Sequence, residues 1–157
     1  MELCALIISI LAFCLSLFQF VRDSSRQKKE ATLNAYNQLQ EDVFSEMNQY
    51  ADDLSQIEFR SDDWNKITVC MAKIEIFSIG INTNIYSFKI LNRLGGGFFV
   101  RQFDKLKPII DIKRGMNISK GKHYDEFEKT ANRLKKYRST TCILKKFWLC
   151  LFWSINS

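Results

Sequence analysis

Residues 1–29 read MELCALIISILAFCLSLFQFVRDSSRQKK, and the fate of that apolar run decides the architecture. From Leu3 to Val21 no side chain is charged, and Ser9, Ser16 and Gln19 are its only hydroxyl or amide residues. As a helix the run is about 28 Å long at about 1.5 Å per residue, close to the roughly 30 Å of a bilayer's hydrocarbon. A cleavable signal peptide has a basic start and small residues at its cleavage site. Here Glu2 leads, and the run closes on Gln19, Phe20, Val21 and Arg22. A core helix apolar on every face needs a large globule around it, and only about 135 mostly amphipathic residues follow. Residues 1–22 therefore read as a retained transmembrane anchor of the signal-anchor type.

The flanks set the expected orientation. Arg22, Arg26, Lys28 and Lys29 follow the run while nothing basic precedes it, so the positive-inside rule predicts a single-pass protein of a cell inner membrane with the bulk of the chain cytoplasmic. The five cysteines, at positions 4, 14, 70, 142 and 150, form no close pair and no C-x-x-C spacing. They read as reduced thiols used for packing, with lipidation of a tail cysteine as a second reading.

Beyond the anchor the pattern is helical. No glycine or proline occurs before Gly80, and Pro108 is the only proline, which argues against a strand-and-turn architecture. Tyr36, Leu39, Val43, Met47, Tyr50, Leu54 and Ile57 recur at spacings of three and four, one face of a long amphipathic helix over 23–60 that continues from the anchor. The same stripe could form a coiled-coil seam, but the helices that follow need a partner and favour packing within the chain. Ser61 or Asp62 then caps a new helix, DWNKITVCMAKIEIFSIGI, apolar on nearly every side and expected to be central. Gly80 is expected to end it, with Asn82 to Asn84 offering the next cap. In the segment that follows, Gly95, Gly96 and Gly97 predict a kink or close helix crossing, and Pro108 a second bend. Tyr124, Phe127, Ala131 and Leu134 mark the last amphipathic face. The predicted fold is all-α: a transmembrane helix followed by a cytosolic antiparallel bundle, its core over 61–139 and a basic-aromatic tail over 140–157.

That tail places Lys145 and Lys146 before Phe147, Trp148, Phe152 and Trp153, the mixture that sits at a lipid headgroup boundary; a closing helix on the bundle is the alternative. Charge is divided along the chain. Residues 23–63 carry four Lys/Arg against ten Asp/Glu, and residues 113–146 carry eleven against three. The acidic first and basic last soluble helices are thus expected to lie side by side, or the basic end to lie against anionic lipid. The basic run has no recognition motif for nucleic acid, which is not expected as a partner.

Chemistry is sparse. His123 is the sole histidine, and the glycine triplet is followed by Phe98 and Phe99 without the lysine and hydroxyl residue of a phosphate-binding loop. No catalytic residue, metal ligand, cofactor or small-molecule substrate is expected. The one ionisable group that stands out is Glu75, flanked at helical spacing by Met71 and Ile79. A carboxylate buried in such surroundings needs a partner, and a structural ion pair with Arg114 or Arg101 is expected; a side chain at the bundle edge that reaches water is the alternative.

The segments MAKIEIFSIGINTNIYSF, FDKLKPIIDIKR and YDEFEKTANRL, set after a membrane helix and a long charged helix, resemble the bacterial proteins grouped as domain of unknown function 4760. The resemblance covers most of residues 3–137, with Glu75, the apolar pair near Pro108 ahead of Arg114, and Phe127 as its most recognisable positions. It implies a short single-pass helical protein and supplies no catalytic residue. Two functions fit these readings. One is a membrane-anchored interaction module, a scaffold or sensor that binds a protein partner or itself. The other is a membrane-acting effector in bacterial stress or phage defence.

Overall fold

The structure is a computed structural model that describes residues 2–50, 54, 57–116 and 123–155, with side chains described over 6–50, 54, 57–116 and 123–140. The described residues contain helices and no strand. Helix α1 spans Glu2–Leu39, widens into a π-turn over Gln40–Phe44 and finishes with one more turn, α2, at Ser45–Met47. Helices α3 (Asp62–Asn82), α4 (Phe88–Met116) and α5 (Asp125–Ile155) follow.

Helix α1 has two halves of opposite character. Its first half is long and apolar enough to cross a membrane, and none of that apolar window is buried. Phe13, Phe18 and Phe20 are 65%, 67% and 73% exposed. From Thr32 onward the same helix enters the core through Tyr36, Leu39, Val43, Phe44 and Met47. The π-turn lets the consecutive residues Val43 and Phe44 both face inward, because a wider turn rotates the chain less per residue. The amphipathic stripe is therefore buried as expected, but the helix stops at Met47 instead of running to residue 60. Lys105 accounts for that stop. Its ammonium donates to the carbonyl oxygens of Met47 (3.2 Å), the last helical residue, and of Tyr50 (2.9 Å), in the turn beyond it.

Side-chain contacts fix the directions. Tyr36 lies against Gly95 and Met47 against Lys105, so α1 and α4 run the same way. Helix α3 runs against them. Its start meets the end of the first helical segment through Tyr50 and Asp63 (3.2 Å), and its end meets the middle of α1 through Asn84 and Lys28. Helix α5 also runs against α4, from Arg114 at its first turn to Phe88 beside Tyr137 (ring centroids 5.9 Å apart). α5 packs mainly on α3 and α4, while α1 packs on the same two helices. The expected side-by-side pairing of acidic first and basic last helices is thus replaced. Asp42 pairs with Lys73 of α3 (3.2 Å), and Lys135 of α5 with Asp104 of α4 (2.5 Å).

The breaks in the pattern fall where close packing demands them. Ser61 caps α3 as read, accepting the Trp64 N–H at 3.1 Å. Gly80 does not end that helix, which continues to Asn82. It lies under the Tyr86 ring, which would stand 2.3 Å from a Cβ at that position. Asn84 takes the left-handed conformation (φ 67°) that closes the helix, and Ser87 begins α4. Within α4 the non-helical residue is Gly95, at the kink expected from the glycine triplet. A Cβ there would stand 1.7 Å from the Tyr36 hydroxyl. Pro108 sits on the exposed side of α4, and the non-helical residue of that helix is Gly95 and not a neighbour of Pro108.

Gly95→Ala should accordingly destabilise the detergent-solubilised chain by about 1–3 kcal/mol, the range for overpacking a filled interior. Gly115→Ala, with nothing within 4 Å of its Cβ, serves as the control and should melt like the parent. Paired thermal melts of the two variants check both.

Candidate functional site

The polar centre of the bundle lies where α5 begins. A helix start leaves four backbone N–H groups without intrahelical partners, and a side-chain oxygen just before the first turn normally takes one or two. The residue before Asp125 is Tyr124, held at φ 62°, and a tyrosine there is not one of the short polar residues that cap helices. The acceptor comes instead from α3. Glu75 takes the N–H of Glu126 at 3.1 Å on one carboxylate oxygen and the N–H of Phe127 at 2.7 Å on the other. About two turns further along α3, Asn82 donates through its amide to the carbonyl (3.1 Å) and carboxylate (2.8 Å) of Glu126 and to the Thr130 hydroxyl (3.0 Å). Thr130 is fully buried, so this bond satisfies a hydroxyl that water cannot reach.

Glu75 therefore has a partner, as its setting requires, but that partner is a helix N-terminus and not a guanidinium. The expected ion pair with Arg114 or Arg101 is corrected on this point. Arg114 binds Asp125 (3.2 Å) and Glu128 (2.8 Å) and donates to the His123 carbonyl (2.9 Å), while the Arg101 guanidinium lies 5.8 Å above the Phe98 ring. The division has an electrostatic reason. Three acidic residues of the first turn of α5 and Glu75 converge on one helix end. The positive end of the helix dipole favours some of that charge. Arg114 and Lys129, the latter on Glu126, offset more of it. Hydrogen bonds from Lys129 and then Asn82 hold the Glu126 carboxyl below its ordinary pKa. Sequence reading singled out Glu75 and Arg114 but joined them to each other. Capping across helices leaves no local signature, although Tyr124 standing where a cap belongs is a sign that one must come from elsewhere.

Other groups are quieter. Cys70 is buried, and burial pushes its thiol above the ordinary value, which makes it a packing residue. Among the described residues no group of three or more His, Cys, Asp and Glu is placed to hold a metal ion. The interface residues read from the tail, Lys145, Lys146, Phe147, Trp148, Phe152 and Trp153, lie outside the described side chains, although the backbone there is helical to Ile155.

Removing the Glu75 carboxylate strands two N–H groups in a part-buried interface, so Glu75→Ala should cost about 1–3 kcal/mol. Arg101→Ala should stay within about 0.5 kcal/mol, as surface changes do. Thermal melts that rank the two the other way would disprove the cap. A pH dependence follows as well. Burial, with the Glu75 charge adding to it, raises the Tyr124 phenol above 10.0, and burial raises Tyr36 likewise. The folded state thus favours neutral phenols. Their contribution is full below about pH 10 and is lost as pH climbs through the raised folded values. The melting temperature should begin to fall beyond about pH 10, less steeply in Tyr124→Phe.

No curated protein and no solved structure matches this chain. A family model does match, over residues 6–134, and takes in the apolar helix, Glu75, Arg114 and the buried face of α5 together. The chain belongs to the family described as domain of unknown function (DUF4760).

Proposed function

We propose that this chain is a membrane-anchored, non-catalytic interaction module: α1 enters the bilayer, the bundle stands in the cytoplasm, and the bundle's work is to bind a second copy of itself. The observation that carries this reading is the outward stripe on α3. Val69, Ala72, Ile76 and Ile79 are all exposed, and Ile76 is 68% so. Their spacing of three, four and three is that of a coiled-coil seam. Ile76 also lines a shallow groove between α1 and α3, where the apolar Leu39, Phe77 and Tyr86 meet the polar Gln38, Asp42 and Lys73. An apolar ridge beside a groove of mixed character on one face of one molecule suits a two-fold contact between identical chains. Anchoring in one membrane gives every copy the same orientation and raises the effective concentration of the face.

The unbroken path of α1 from apolar segment to core supports a mechanical role, scaffold or sensor, since a rigid helix ties the position of the bundle to that of the span. The effector reading, an agent that perturbs the bilayer, draws instead on the course of α5 treated below.

Ile76→Glu places a charge on the stripe at a side chain that is 68% exposed, so the fold should be kept. Cross-linking of the full chain in native membranes should trap dimers of the parent and not of Ile76→Glu, with equal melting temperatures for the two proteins. Dimers that persist in the variant, or a parent that stays monomeric, would overturn the self-association.

A further inference from the structure

We propose that α5 makes a second contact with the bilayer that α1 enters, so that the chain is held at two points; this rests on α1 being the membrane anchor. The burial of α5 changes abruptly after Leu134. Phe127, Ala131 and Leu134 are fully buried, and then residues 135–140 are all exposed. The helical backbone nevertheless continues to Ile155, fifteen residues beyond Thr140.

Its direction is set by the contacts at its two ends. The first turn is pinned to Arg114 near the far end of α4, and Tyr137 meets Phe88 at the near end. That near end is tied to α1, because the Ser87 N–H donates to the Thr32 hydroxyl at 2.8 Å. Helix α5 therefore returns toward the apolar half of α1. Thr32 stands eleven residues after Val21, about 16 Å of helix, whereas the seventeen residues of α5 after Arg138 reach up to about 26 Å. The reach exceeds the gap, with room for an inclined path.

The sequence carried along that path suits a headgroup boundary. Exposed Lys135, Lys136 and Arg138 come first, then Lys145 and Lys146, then the aromatic run from Phe147 to Trp153. Basic side chains are drawn to anionic lipid at about 1 kcal/mol each near the surface, and aromatic rings settle where hydrocarbon meets headgroup. Together they give the two signals, charge and burial, that a stable surface attachment needs.

The three tryptophans make the test direct: Trp148 and Trp153 lie in this segment, while Trp64 is 4% exposed at the start of α3, beside the end of the first helical segment. That end is about 39 Å of helix beyond Val21. The full chain, reconstituted in vesicles of phosphatidylglycerol and bromine-labelled phosphatidylcholine, should lose most of its tryptophan emission relative to unlabelled vesicles. The variant W148F/W153F, which keeps Trp64, should lose almost none. A carbonate wash of the same vesicles separates the two ways to fail. If the chain stays integral and the parent is quenched no more than the variant, the second contact is refuted and the anchor stands. If carbonate extracts the chain, the anchor is refuted and the inference with it.

Discussion

The docking of α5 depends on one carboxylate. A helix laid across two others hides its own first turn, and the free N–H groups there must be satisfied from the surface it covers. Glu75 meets that demand from the middle of α3, with one oxygen on Glu126 and the other on Phe127. The bond also sets register. With Phe127 fixed by its own amide, its ring stands edge-on to Phe99 and Phe103, each at 5.1 Å, and the residues one and two turns later, Ala131 and Leu134, reach the core. A shift of one residue would take all of these contacts away at once.

A similar principle recurs at the other helix ends. Thr32 of α1 takes the Ser87 N–H at the start of α4, and Lys105 of α4 takes the last carbonyls of the first helical segment. Three helix ends are thus met by a side chain of a neighbour, whereas α3 is capped at its start by its own Ser61. Such exchanges join secondary and tertiary structure, because neither helix end is satisfied until both helices are in place.

The glycines show the other side of the same economy of space. Gly95 yields to the Tyr36 hydroxyl and Gly80 to the Tyr86 ring, so in both places an aromatic side chain occupies the room of an absent Cβ. Tyr86 then stacks on Phe77 at 5.4 Å, and Phe77 in turn meets Tyr36 and Phe99. The aromatic core runs from α1 across α3 to α4 because two backbones make way for it.

What the sequence determined by itself is what depends on the chemistry of neighbours along the chain. The stripe from Tyr36 to Met47, the Ser61 cap and the face from Phe127 to Leu134 follow from periodicity and local capping and stand in the fold as read, and the uncharged run to Val21 stands as an apolar helix left unburied. Tertiary structure decided whatever requires knowing which helix lies opposite. Glu75 was legible as a carboxylate in need of a partner, but not that the partner is an amide pair 51 and 52 residues on. Gly80 read as a helix end because a glycine's usual local meaning is termination, whereas here its small size serves Tyr86 from outside the helix. The first helix read as running to residue 60 because its apolar spacing persists to Ile57, yet it ends where Lys105 captures its carbonyls. Periodicity records which side of a residue is apolar. It does not record what stands on that side, and helix ends are settled by what stands there.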